Sequence, residues 1–284
     1  MVEVSHWGAR YPAPAKLNLF LHVVGRRSDG YHLLQTAFRL IDLCDWLRFT
    51  ARSDGRITLA RPVVGVAEED NLVVRAARLL QPLGGGGGVE IDLEKNIPIG
   101  GGLGGGSSDC ATTLAALNRL WGLSLPRERL AEIGLTLGAD VPFFLFGQNA
   151  FGEGVGERLA ALDLPQAWYL VLVPPVSVPT RAIFAAPELT RNSKTIKISG
   201  FSGGFGRNDL EPVVCRRHPE VAKHLEWLKQ FGDARLSGSG ACVFAEFATE
   251  REARSVHSKV PADMRGLVVR GLDRQPLAAL LENE

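Results

Sequence analysis

From Pro98 to Asp109 the chain reads Pro-Ile-Gly-Gly-Gly-Leu-Gly-Gly-Gly-Ser-Ser-Asp, with six glycines in the seven positions 100–106. Each glycine costs about 0.5–1 kcal/mol of backbone entropy against alanine, so so dense a run points to a backbone that takes positive φ or approaches another group closely. From Ser107 to Trp121 apolar side chains recur at helical spacing, so the loop opens a helix. The unpaired N–H groups and the positive dipole end of that helix, joined to the glycine backbone, make a cradle for a phosphate. Ser107 and Ser108 stand where they either cap the helix or offer hydroxyls to a phosphate or to Mg²⁺.

Known phosphate loops fit poorly. No lysine precedes the serines, so the Walker pattern fails. Gly100, Gly102 and Gly105 satisfy G-x-G-x-x-G, but a run this dense does so almost automatically. A dinucleotide site also wants an acid some 20 residues on, and Leu123 to Pro126 holds none. The His-Arg-Asp and Asp-Phe-Gly signatures of protein kinases are missing. A second glycine-serine turn, Leu236-Ser237-Gly238-Ser239-Gly240-Ala241, leads into an apolar stretch and reads on its own as a tight turn.

A length of 284 residues suits two packed domains sharing a cleft, with an expected boundary near residue 155, giving 1–155 and 156–284. The net charge of +1 argues against a nucleic-acid-binding surface while leaving room for a local basic pocket. Cys44, Cys110, Cys215 and Cys242 are far apart and form no Cys-x-x-Cys pair, so neither a zinc site nor a redox motif is expected. Residues 1–16 carry Glu3, His6, Arg10 and Lys16 without the apolar core of a signal peptide. Ala167 to Val178 is short and broken by Pro174 and Pro175, so no membrane span is expected and the reading is a cytoplasmic protein.

Lys16 to Val24 alternates and reads as a first strand with Lys16 at its start; Leu33 to Leu43 and Trp46 to Thr50 read as two further strands. Helices are expected over Asn71 to Leu80, capped by Asp70 or Asn71, over Leu125 to Leu137, and over Pro212 to Phe231 with a break at His218-Pro219. Val89 to Glu94, Trp168 to Val173 and Gly266 to Arg270 read as strands, and Arg251 to Lys259 as a helix. The mixture lacks a regular βαβ beat, so the class is α+β. The glycine runs 84–88 and 200–206 read as connectors or insertions.

Pro14-Ala15-Lys16-Leu17-Asn18-Leu19, the Pro98 to Ser108 loop and the Leu236 to Ala241 turn occur in the order that resembles the GHMP small-molecule kinase superfamily, which includes galactokinase and the homoserine, mevalonate and phosphomevalonate kinases. Further stretches resemble the branch whose acceptor is a cytidine diphosphate derivative of methylerythritol. These are Gly25-Arg26-Arg27-Ser28-Asp29-Gly30-Tyr31-His32, Asp70-Asn71-Leu72, Lys95-Asn96-Ile97-Pro98, Gly138-Ala139-Asp140-Val141-Pro142 and Asn208-Asp209-Leu210-Glu211. The resemblance covers nearly the whole chain. It implies an N-terminal domain like the second domain of ribosomal protein S5 and a ferredoxin-like C-terminal domain. It also implies ATP and Mg²⁺, with phosphorylation of the acceptor's 2-hydroxyl in the non-mevalonate isoprenoid pathway.

The resemblance assigns Asp140 as catalytic base and Lys16 as its cationic partner. By itself Asp140 reads as a capping acid ahead of an apolar run that would desolvate it, and Lys16 as a snorkelling lysine. Asn18, two residues along the strand, shares the face of Lys16 and would meet substrate near the reacting hydroxyl. The resemblance also implies that Tyr31 and Phe184 sandwich the cytosine, that His32 hydrogen-bonds its edge, and that Thr180 belongs to the same substrate site. Asn71 and Lys95 match positions near the adenosine, although a helix cap and a solvated lysine explain them equally well. Pro98, Ile99, Gly100, Gly101, Gly102, Leu103, Gly104, Gly105, Gly106, Ser107 and Ser108 would hold the nucleotide's phosphates. Asp209 and Glu211 would support the helix that follows, and no protein ligand for Mg²⁺ stands out beyond the two serines. Competing readings are a homoserine- or mevalonate-type kinase, a nucleotide-binding module without catalysis and, more distantly, a dinucleotide oxidoreductase.

Overall fold

The computed structural model describes residues 6–84, 86–198, 201 and 206–281. Its spine is a pair of long antiparallel strands, β1 (Arg10–Arg26) and β2 (His32–Arg52). Lys16 therefore lies well inside the first strand rather than at its start. The two strands expected over 33–43 and 46–50 are one. The polar Asp45 does not break β2, because its buried carboxylate is satisfied by the backbone N–H groups of Asn96 and Ile97. A register shift between Pro14 and Ala15 absorbs the extra residues opposite.

The chain continues through β3 (Ile57–Leu59), α1 (Leu72–Leu80), β4 (Gly88–Glu94), α2 (Gly105–Leu120), α3 (Arg127–Leu137) and α4 (Val141–Phe146). It then forms β5 (Ala150–Gly154), β6 (Arg158–Ala161), β7 (Trp168–Val173), α5 (Thr180–Phe184), α6 (Glu211–Arg217) and α7 (Pro219–Lys229). β8 (Ala234–Leu236), β9 (Val243–Phe247), α8 (Glu250–His257), β10 (Arg265–Leu272) and α9 (Ala278–Leu281) complete it. The fold is α+β, as the sequence implies. The helices over 211–229 break at His218, as expected.

One edge of β2 pairs along its length with β1. The other is shared by β5 (from Leu34), β10 (at Leu40 and Ile41) and β4 (from Trp46). Among the described residues a continuous path runs β3-β4-β2-β10-β7-β9-β8. Residue 155 falls in the turn between β5 and β6, yet the chain crosses back: β10 pairs with β2, and Leu277, Leu280 and Leu281 lie in the same core as α1, α2 and α4. A second core lies between β7, β9, α6 and α7, and a third joins the two around Leu17, Phe20 and Tyr169.

α2 starts two residues earlier than expected. Its cap is Gly104 in the left-handed conformation (φ 73°), with no side-chain cap, so neither serine caps it. The run 84–88 is remote from the glycine loop: Gly88 begins β4, where a Cβ would lie 2.7 Å from the Arg56 carbonyl, and Gly85 lies outside the described residues. Of the run 200–206, residues 200 and 202–205 also lie outside them, while Gly206 packs on Phe20. All four cysteines are free thiols.

Candidate active site

The outer edge of β1 organises the site. The Lys16 N–H donates to the Leu103 carbonyl (2.9 Å), which docks the glycine loop onto the strand. The second glycine-serine turn straps the loop from the other side, as Ala241 and Cys242 donate to the Gly100 and Gly101 carbonyls (3.2 and 3.1 Å). This close approach requires glycine: a Cβ on Gly102 would stand 2.1 Å from the Ser237 carbonyl oxygen, and one on Gly104 would stand 2.9 Å from the Phe144 ring. Gly100, Gly102 and Gly104 have φ of 68°, 73° and 73°, a region that costs other residues about 1–2 kcal/mol.

Lys16 is 3% exposed. Its ammonium donates to Asn18 Oδ1 and to the Gly102 carbonyl (3.0 Å), and stands 3.5 Å from Asp140 Oδ2. Two hydrogen bonds and one ion pair thus surround the ammonium, which fixes the charge in place. Asn18 Nδ2 donates to Thr36 Oγ1 (2.9 Å) and Ser237 Oγ donates to the Gly102 carbonyl (3.0 Å), so β1, β2 and both loops hold the lysine. Asp140 precedes α4 with its side chain 33% exposed. The apolar run after it does not cover it as expected: Val141, Phe143, Phe144 and Leu145 turn into the core and anchor the backbone instead.

Two hollows meet at the glycine loop. A cleft of 720 Å³ contains Lys16, Asn18, Asp140, Tyr31, His32 and Phe184. A pocket of 340 Å³ lies between the loop, Asn71, Lys95 and Val66. Gly100, Gly102, Gly104 and Ser107 line both. Pro98, Ile99, Gly101, Leu103, Gly105 and Gly106 line the smaller pocket only. Ser108 is wholly buried, its hydroxyl has no partner among the described residues, and it lines neither hollow.

Asn71 caps α1, accepting from the Val73 N–H (3.1 Å), and also faces the smaller pocket. Lys95 is not a solvated lysine. It is gripped by Asp45 and by Asp109 (2.7 Å), both buried beneath the loop. Burial opposes its charge, but the two carboxylates prevail and hold its pKa above the ordinary value. Burial pushes the Asp109 carboxyl up to about 8, against the pull of Lys95 and with the push of Asp45.

At the far end of the cleft Tyr31 is 63% exposed. The His32 and Phe184 rings touch each other, with centroids 5.1 Å apart and planes at 35°. Thr180 Oγ1 meets Ser239 Oγ at 2.7 Å, joining α5 to the second loop. Among the described residues no group of three or more His, Cys, Asp or Glu is arranged to hold a metal ion. No helix among them is long and apolar enough to cross a membrane.

Comparison with known proteins decides the family. Residues 71–148 match the GHMP kinases N terminal domain and residues 186–266 the GHMP kinases C terminal domain. The chain is 64% identical over 268 residues to the 4-diphosphocytidyl-2-C-methyl-D-erythritol kinase of Thiobacillus denitrificans, covering 94% of this chain and 96% of the relative. It is 62% identical to the Nitrosospira multiformis protein of the same name, over 94% and 92% of the two chains. The chain belongs to the GHMP kinases. A crystal structure of a 4-(cytidine 5'-diphospho)-2C-methyl-D-erythritol kinase superposes with a TM-score of 0.81 at 36% identity, covering 93% of this chain and 99% of that one. The Methanococcus jannaschii mevalonate kinase, at 15% identity and a TM-score of 0.64, shares the fold. This GHMP kinase is thus an ATP-dependent small-molecule kinase with the two-domain architecture the motifs imply.

Several residues of this GHMP kinase site carry weak sequence signals. Asn208 Nδ2 donates to the Leu236 and Gly238 carbonyls (2.9 and 2.7 Å), shaping the second loop. Asp209 accepts from the Val23 N–H (2.8 Å), and Glu211 accepts from the Leu236 N–H (3.0 Å), so these acids brace the cleft rather than only the helix. Nothing local in the sequence marks Asp45 and Asp109 as the partners of Lys95. Arg191, far from any glycine motif, reaches His32.

Proposed function

We propose that this kinase transfers the terminal phosphoryl group of ATP to the 2-hydroxyl of 4-diphosphocytidyl-2-C-methyl-D-erythritol, in the non-mevalonate route to isoprenoid precursors. The observation that carries the reading is the Lys16–Asp140 pair, 3.5 Å apart in the larger cleft beside the glycines lining both hollows. The names of the relatives at 54–64% identity supply the acceptor.

In this reading the smaller pocket receives the adenosine end of ATP and the loop from Pro98 to Ser107 cradles its phosphates. The acceptor occupies the larger cleft, with its cytidine end toward Tyr31, His32 and Phe184. Asp140 accepts the hydroxyl proton as the phosphoryl group departs. Lys16 favours the ionised Asp140 and stabilises charge on the transferred group. Asn18 and Thr180 position the acceptor. A Mg²⁺ ion would neutralise phosphate charge there, held chiefly by phosphate oxygens and water since this ion keeps its waters, with the Ser107 hydroxyl on the wall shared by both hollows as the protein group that could reach it. The same reading puts the enzyme in the cytoplasm, with a small-molecule partner and no nucleic acid or membrane surface.

A coupled assay of ADP release over an acceptor panel tests this. Turnover is expected with the cytidylyl acceptor and not with homoserine or mevalonate. Equal turnover with either of those, or ADP release independent of acceptor, would overturn it.

A further inference from the structure

The guanidinium of Arg191 is nearly saturated. Its NH2 donates to the carbonyls of Phe184 (3.0 Å) and Ala186 (2.6 Å), and its NH1 to those of Leu189 (3.0 Å) and Pro187 (3.5 Å). The side chain thus gathers the whole segment that follows α5. Its remaining donor, Nε–H, points at His32 Nε2 at 3.1 Å. A guanidinium has no lone pair to offer, so Nε2 must be the unprotonated nitrogen of the ring. A neutral His32 then carries its hydrogen on Nδ1, which makes no hydrogen bond among the described residues.

We propose that Arg191 is a positioning residue for the acceptor base: it locks His32 as the neutral Nδ1–H tautomer, packed against Phe184, so that the ring offers one fixed donor in the cleft. The inference rests on the cytidylyl reading above and deepens it. Cytosine presents N3 and O2 as adjacent acceptors, whereas N3 of uracil carries a hydrogen. A ring held with Nδ1 as donor fits the first pattern and meets a donor in the second. The surrounding charges act the same way. Burial lowers the His32 pKa, and the cations of Arg191 and of Arg26 at the end of β1 lower it further, so the ring stays neutral.

Two measurements test this on the intact protein. Long-range ¹H–¹⁵N spectra of the wild-type imidazoles at neutral pH are expected to give His32 the Nδ1–H pattern, and an Nε2–H pattern overturns the proposal without need of any variant. Arg191→Met is then expected to mix the tautomers and raise the His32 pKa. It should raise KM for the cytidylyl acceptor roughly tenfold while leaving KM for ATP unchanged. It should also narrow the preference over the uridine analogue and make acceptor kcat/KM fall below about pH 6.5. A variant that folds yet keeps the wild-type tautomer, KM and base preference refutes the role. Should the wild type ignore the cytidylyl acceptor, the functional reading fails, and the spectra still decide whether Arg191 holds His32.

Discussion

The two ends of the large cleft are built differently. Around Lys16 the polar groups other than the half-exposed Asp140 are buried and tied: two strands and two loops converge on one ammonium and one carbonyl, that of Gly102. Around Tyr31 the ring is largely exposed, and its neighbours hang on a five-residue helix and the segment that Arg191 gathers. In the proposed reading the tied end carries the chemistry, which tolerates little error in position, and its groups sit on long strands and a packed core. In the same reading the open end receives a flat base, and that recognition tolerates more, because stacking depends weakly on register.

If that contrast holds, the largest effects belong to the tied end. Asp140→Asn is expected to lower kcat by roughly 10²–10⁴ with KM values and thermal midpoint little changed, since its side chain supports no neighbour beyond Lys16. Near-normal turnover in single-turnover measurements would remove Asp140 as base. Gly102→Ala breaks the same end through the backbone. It forces a left-handed alanine, costing about 1–2 kcal/mol, and drives a Cβ into the Ser237 carbonyl. Both kcat/KM and melting temperature are expected to drop, and a variant matching wild type in both would show the loop to be looser than its contacts indicate.

At the open end, Tyr31→Ala is expected to raise acceptor KM by the loss of one stacking face, about 1–3 kcal/mol or roughly 5–150-fold, with KM for ATP and melting temperature steady. Equal shifts in both KM values would erase the distinction between the ends. The last effect concerns stability rather than turnover. Asp109 has a folded pKa raised well above that of a free carboxyl, so the folded protein binds its proton more tightly than the unfolded chain does. Its contribution is present at about pH 4 and is lost as pH climbs toward 8. Asp109→Asn should flatten that part of the profile in urea titrations across this range, and an unchanged slope would mean the carboxylate stays ionised beside Lys95.

The sequence made the tied end legible and the open end only in outline. Lys16, the glycine run and Asp140 lie 124 positions apart at their extremes, yet each sits in a locally recognisable setting: a β-rich stretch, a loop opening a helix, a helix stop. The structure brings all three together. What local pattern could not give is long-range pairing. β2 reads as two strands because Asp45 looks like a break, and only Asn96 and Ile97, some fifty residues away, make its burial affordable. Lys95 looks solvated for the same reason, since Asp45 and Asp109 are its partners. Ser107 and Ser108 look alike in sequence, and only helical rotation separates the one at the wall from the one inside. Arg191 carries no motif of its own, as its partners besides His32 are backbone carbonyls that any residue supplies.

The homecoming of the last strand and helix has a consequence for synthesis. Leu277, Leu280 and Leu281 fill space among side chains made more than a hundred residues earlier. While a ribosome is still extending the chain, those positions are empty, and the face of α2 that packs against α9 has no lid. The first half must therefore wait, partly shaped, until residues 277–281 have emerged, and a nascent chain stalled before residue 277 should remain sensitive to protease and attractive to chaperones.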